Sequence, residues 1–173
     1  MIDSIAEFYS QIYNLCFIKR YSVIPRLHEE SIAEHSFFVA AIVVKLYDEY
    51  DFDIGRALTM AVIHDWTESY TDDITIATKR AFPGIARAVE EAECLIAETE
   101  FSDLTFDIWR EYKKSITIEA KIVKYADTLQ VIQYAQSEIN LGNMGYMVSV
   151  LEDALKRSEM PEKELEGYKW ERN

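Results

Sequence analysis

The sequence predicts an all-α fold, a single compact bundle of about six to eight helices spanning residues 1–173. Three observations carry this. Apolar residues recur at three- and four-residue spacing along almost the whole chain, the period of a helix with one buried face, and period-2 alternation is nearly absent. Five glycines and three prolines leave few breakers among 173 residues. An apolar share of 49%, with 13% aromatic, supports a packed core in a chain long enough to hide roughly 70% of its unfolded surface.

The elements follow in order. A first helix covers about 2–17. Pro25 and the β-branched residues of "KRYSVIPRLHEES" then resist helix. Ser31 with Glu34 three residues on is a capping-box pattern that starts a helix over 32–50, with Val39, Ile42, Val43 and Leu46 on its buried face. His35 shares that line at the helix start. The stretch 54–65 is apolar nearly all round, so it is expected to run through the centre and deliver His64 and Asp65 at its C-terminal end. Residues 66–81 read as polar and irregular. "FPGI" turns into a helix reaching about 99, "FSDLTF" breaks it, and long helices follow over 115–142 and 146–157. A charged tail from about 157 is expected to fray.

Charge excludes some functions. A formal net charge of −13 leaves no broad basic face for a nucleic acid polymer, so any phosphate ester must be drawn in by a few placed cations or a metal ion. Cys16 and Cys94, far apart in sequence, read as reduced core residues. The N-terminus has no basic leader and no stretch approaches the ~18 apolar residues of a membrane span, so the expectation is a cytoplasmic protein, or one of the host cytoplasm if phage-encoded.

The candidate chemistry starts at Asp127 in "KYADTLQ". Ala120, Val123, Val131 and Tyr134 share its helical face and bury it. A bare buried carboxylate costs several kcal/mol, which leaves a core ion pair or a metal as its partner. Two of the three histidines, His35 and His64, stand at ends of buried helices, with Asp65 beside the second. Each alone reads as a satisfied core residue. Together with Asp65 and Asp127 they make a mixed nitrogen and oxygen set suited to Zn, Mn, Co or Fe, with an additional Mg compatible.

"SIAEHSFFVA", "IHDWTESYTDD" and "KYADTLQVIQYAQSEINLGN" resemble, in that order, the HD-domain phosphohydrolases, in particular the bacterial 5'-deoxynucleotidase branch and the small phage dATP triphosphohydrolases. The resemblance covers about 12–145. It implies His35, His64, Asp65 and Asp127 as metal ligands, Glu68 as the residue orienting or deprotonating the attacking water, and Asp73 as the acid assisting the leaving group. It also implies phosphate-binding roles for Arg20, Lys79 and Lys124. Tyr21 stands where the branch commonly has tryptophan beside the sugar, so exclusion of ribose is open. Val23 and Trp66 complete the candidate pocket, although an aromatic beside the HD pair also reads as core.

The function this implies is hydrolysis of a deoxynucleoside 5'-monophosphate to deoxynucleoside and phosphate. A phage-type cleavage of dATP to deoxyadenosine and triphosphate is the alternative, and a non-catalytic nucleotide-binding regulator of the same fold a further one. The expected partners are a small deoxynucleotide and further copies of the chain. A dimer is favoured, through "EFYSQIYNLCF" or "NMGYMVSVL".

Overall fold

A computed structural model describes residues 2–170, and among these the regular structure is helical. Seven helices have ten residues or more: α1 (Ile2–Asn14), α2 (Ile32–Leu46), α3 (Ile54–Ile63), α6 (Pro83–Glu100), α7 (Asp103–Lys114), α8 (Ile118–Asn140) and α9 (Tyr146–Leu165). Two short ones, α4 (Glu68–Thr71) and α5 (Ile76–Ala81), interrupt the stretch expected to be irregular, and a 3₁₀ turn covers Glu166–Tyr168. No described helix is long and apolar enough to cross a membrane.

Helix starts follow local chemistry. Ser31 and Glu34 form the capping box in both directions, and Asp53, Thr75, Ser102 and Thr117 each accept a backbone N–H at the next helix start. Pro83 opens α6, where its missing N–H has no partner to lose.

α8 is the central element. It buries eleven residues and packs against α2, α3, α7 and α9. Val39 and Val43 of α2, Ala57, Met60 and Ala61 of α3, Trp109 of α7 and Ala120, Ile122 and Val123 of α8 form one core cluster. The small residues on α3 let it come close to α8, and the C-terminal end of α3 and the middle of α8 both lie beside the start of α2.

Several expectations are corrected. "FSDLTF" does break the chain, but Ser102 caps a new helix, α7, whose Ile108, Trp109 and Tyr112 are buried at helical spacing. The tail does not fray at 157: α9 runs on through Pro161 until Leu165 enters the core, and Trp170 Nε1 donates to the Tyr47 carbonyl at 2.9 Å. α3, though apolar nearly all round, is not buried on every side, since Val62 is exposed. Cys16 and Cys94 are free but exposed; α6 turns Glu93 and Ala97 inward and leaves the next position outside.

The connection between α1 and α2 is pinned from below by Glu138 of α8, fully buried. Its carboxylate accepts Leu27 N–H at 2.7 Å, His28 N–H at 2.6 Å and Asn143 Nδ2 at 2.8 Å. Burial pushes this carboxyl up, but the bonds from Asn143, Leu27 and His28 outweigh it and hold it below the ordinary glutamate value. Glu138→Ala strips two backbone donors of their partner and is expected to destabilise the chain by about 2 kcal/mol or more in chemical denaturation. Because the folded value is depressed, this contribution is present above the unfolded glutamate pKa and is lost as pH falls through the folded one. The wild-type and Glu138→Ala melting temperatures should therefore converge in acid.

Candidate metal centre and cleft

Three helices bring the candidate ligands together. His35 is one turn into α2, His64 is the residue that ends α3, Asp65 follows it, and Asp127 lies in the middle of α8. His35 and His64 are fully or almost fully buried. His35 Nε2 lies 3.4 Å from His64 Nε2, 3.2 Å from Asp127 Oδ1 and 3.5 Å from Asp65 Oδ2, and His64 Nε2 lies 3.2 Å from that same Asp65 oxygen.

The other ring nitrogens are already engaged. His64 Nδ1 is 2.8 Å from the Ala61 carbonyl, an acceptor with no proton to give, so Nδ1 carries the hydrogen. His35 Nδ1 is 2.8 Å from Gln130 Oε1. Both imidazoles therefore turn an Nε2 lone pair toward two carboxylates. Four acceptor atoms converging in a buried space repel one another unless a positive charge sits among them. The two carboxylates favour positive charge here: burial lowers the His64 value, but Asp65 and Asp127 outweigh it and raise it. Asp65 moves the other way, burial being overcome by His64, His35 and Arg20. His35, His64 and Asp127 offer ligand atoms that all lie within 4.8 Å of one another, a spacing that fits a divalent transition metal, and Asp65, 3.2 Å from His64 Nε2, is placed to add a fourth.

Beside these residues opens a cleft of about 530 Å³, of a size that suits a small-molecule ligand. Asp65 and Asp127 lie in its wall together with Arg20, Tyr21, Val23, Glu68, Asp73 and Lys79. Glu68 opens α4, is buried, and has one carboxylate oxygen with no hydrogen-bond partner. Burial, then the charges of Asp65 and Asp73, push its carboxyl well above the ordinary glutamate value, against the pull of Arg20 and Lys79. Asp73 is raised too, by burial and Asp65, with Arg20 and Lys79 opposing. Asp72, just before it, has φ 64°, an uncommon conformation for a residue other than glycine, and its side chain accepts the Asp73 N–H at 2.8 Å.

Arg20 is largely buried, with Nη1 3.6 Å from Asp65 Oδ2. Tyr21 adopts φ 57°, and its ring lies on Tyr134 at 4.9 Å and 3°. Lys79 Nζ stands 4.0 Å from Glu93 Oε1, whose other oxygen takes Lys113 at 2.5 Å.

Two candidates fall elsewhere. Trp66 is not on the cleft but in the core, its ring 4.7 Å from Phe8 and 4.6 Å from Phe101, because the turn that ends α3 sends neighbouring side chains to opposite sides. Lys124 shares the α8 face of Asp127, yet its ammonium turns to the Lys113 carbonyl at 3.4 Å and the Tyr112 ring at 5.4 Å. The unpaired carbonyls at the C-terminal end of α7 attract it there.

Other residues at the site were not foreseen. Gln130, buried behind His35, lies three residues after Asp127, and that helical spacing alone would have named it. Tyr146, Ser149, Val150, Asp153 and Arg157 of α9 form the opposite wall, and Arg80 joins it. "NMGYMVSVL" thus faces the cleft in part, a placement that depends on how α9 folds back on α8 and carries no local signal.

A family model described as "5'-deoxynucleotidase YfbR-like" matches residues 7–166. The 5'-deoxynucleotidase PM0747 of Pasteurella multocida is 28% identical over 155 residues, 82% of this chain and 79% of the relative. The match to the 5'-deoxynucleotidase HDDC2 of Xenopus laevis covers 60% of that protein. Among solved structures, the PH0347 protein of Pyrococcus horikoshii superposes with TM-score 0.77 at 28% identity, covering 94% of this chain and 92% of that one. The cyanophage S-2L HD phosphohydrolase bound to dA and one catalytic Zn²⁺ ion shares the fold at TM-score 0.56 and 15% identity, over 90% of this chain and 96% of its own.

Proposed function

The chain belongs to the 5'-deoxynucleotidase YfbR-like family, and from that premise we propose a single-domain, metal-dependent phosphohydrolase that releases phosphate from deoxynucleoside 5'-monophosphates. The convergence of two bare imidazole nitrogens and two carboxylates around one buried point, at the wall of a cleft holding Arg20 and Lys79, is the observation that carries this reading. His35, His64, Asp65 and Asp127 would hold the metal. Zn, Mn, Co and Fe all suit such a set, so availability selects among them. When bound, the ion supplies Lewis-acid polarisation of the phosphoryl group and of the water that attacks it.

The chain's own residues do the rest. Glu68, on the cleft wall with one oxygen unpartnered, positions the incoming water and takes its proton as the new P–O bond forms. Arg20 offers a planar fork to the phosphoryl oxygens and Lys79 a point charge, and both offset the negative charge that grows in the transition state. Asp73, whose raised value preserves the acid form to higher pH, gives its proton to the departing 5'-oxygen. Tyr21, fixed by its stack on Tyr134, and Val23 at the mouth flank the sugar.

Cleavage of dATP to triphosphate is the second reading, and two more guanidiniums in the cleft, Arg80 and Arg157, speak for it. Asp153 engages both, at 2.7 and 3.0 Å, so their charge is already partly offset, which favours the monophosphate. Incubation of the metal-loaded protein with dAMP and with dATP separates the two: phosphate from dAMP is expected. Triphosphate from dATP with dAMP untouched transfers the assignment to the second reading, and turnover of neither leaves a nucleotide-binding protein. We propose a dimer interface on the apolar side of α1 and the turn after it, where Tyr9, Tyr13 and Phe17 are exposed.

A further inference from the structure

His35 is held from behind by residues that no proposed step uses. Gln130 and Glu30 are both buried. Gln130 Nε2 lies 2.5 Å from Glu30 Oε1, and Gln130 Oε1 lies 2.8 Å from His35 Nδ1. Chemistry fixes the direction of both bonds. Glu30 stands beside the Arg20 guanidinium, 3.5 Å from Nε, and as a carboxylate it only accepts. The amide must therefore present its NH₂ end to Glu30 and its oxygen to His35. That oxygen in turn requires a hydrogen on Nδ1, which leaves the Nε2 lone pair bare and facing Asp65, Asp127 and His64.

A histidine without this constraint has two tautomers and two ring orientations, and only one combination aims a lone pair at the site. The other Glu30 oxygen forms an ion pair with Arg20 without a hydrogen bond, and Arg20 Nη1 lies 3.6 Å from Asp65. One carboxylate in the α1–α2 connection thus anchors the ligand imidazole through an amide and attracts the phosphate-facing guanidinium by charge.

We propose that Gln130 and Glu30 are a positioning pair: the amide fixes the tautomer and ring plane of His35, and the carboxylate fixes which way the amide points. This rests on the metal reading above and is independent of which nucleotide is hydrolysed. Partners of this kind on a ligand histidine are worth about 10- to 100-fold in metal affinity.

The test is cobalt(II) binding to metal-stripped protein, read from visible absorption and by competition with a chelator. Gln130→Leu is expected to weaken binding by about 10- to 100-fold, and Glu30→Leu similarly, because the amide is then free to flip. Glu30→Gln keeps an oxygen acceptor for the Gln130 NH₂ and should stay within about threefold of wild type, a rescue that a merely structural role does not predict. Melting curves of the metal-free variants check the fold, and Gln130→Met, of similar volume without a hydrogen bond, replaces leucine if that variant unfolds. Wild-type cobalt affinity in a folded Gln130→Leu or Gln130→Met protein overturns the proposal, as does a Glu30→Gln as weak as Glu30→Leu. A wild-type protein that binds no cobalt removes the metal reading and the pair with it. One that binds cobalt but turns over no deoxynucleotide leaves the pair standing and removes the substrate assignment.

Discussion

Replacing Asp127 with alanine is expected to lower turnover of a deoxynucleoside monophosphate by at least about 10³-fold, a loss of about 4 kcal/mol of transition-state stabilisation. The carboxylate supplies one of four converging donors, 3.2 Å from His35 Nε2, and no neighbouring side chain can take its place: Val123 and Val131 flank it on the α8 face. The fold is not at stake. Alanine is the better helix former, Asp127 is partly exposed on the cleft wall, and the apolar contacts of α8 lie on either side of it. Melting curves should therefore separate binding from folding. In the wild type, a metal at a thousand times its dissociation constant adds about 4 kcal/mol to stability, and the melting temperature rises when metal is added back to chelator-treated protein. In Asp127→Ala that rise should be absent while the metal-free melting temperature stays close to wild type. A variant that turned over substrate at the wild-type rate, or retained stoichiometric metal, would defeat the assignment of all four ligands, since the four serve a single ion as one set.

How much of this was legible in the sequence depended on distance along the chain. The capping box at Ser31, the buried face of α8 and the inward aim of His35 are properties of single helices, and the 3.6-residue period exposed them. Trp66 and Lys124 were misplaced because local spacing says which side of a helix a Cβ leaves from, not where a side chain beyond a helix end or on a long flexible stem comes to rest. α7 is absent from the sequence reading because "FSDLTF" reads as a break, whereas its serine also caps the next helix. The α9 wall and the Glu30 anchor were invisible for a different reason: each meets the site only through contacts spanning many residues, such as Glu30 to Gln130. The two non-glycine residues with left-handed backbone on the cleft loops, Tyr21 and Asp72, carry no composition signal at all. Both flank proposed substrate contacts, which is where strained backbone is retained when surrounding packing over-determines it.

Glu68→Gln should separate chemistry from binding. The isosteric amide keeps the shape of the buried side chain but cannot take a proton from water, so kcat is expected to fall by about 10² to 10⁴-fold with KM and metal content near wild type. Stability should move the other way. Glu68 is buried between Asp65 and Asp73, with one oxygen unpaired, and its folded-state value lies above the ordinary glutamate value. A carboxyl with a raised folded value favours the folded state least when ionised: the penalty is absent below the unfolded pKa and grows as pH rises toward the folded one. Metal-free Glu68→Gln should therefore melt above metal-free wild type at neutral pH and level with it near pH 4, the value at which both chains carry a neutral group there. A gain in stability bought with lost turnover marks a residue kept for its reaction rather than for its packing. If Glu68→Gln kept kcat within tenfold of wild type, the proton from the attacking water would have to go elsewhere, and Asp73, the other raised carboxyl in the cleft, would be the group to replace next.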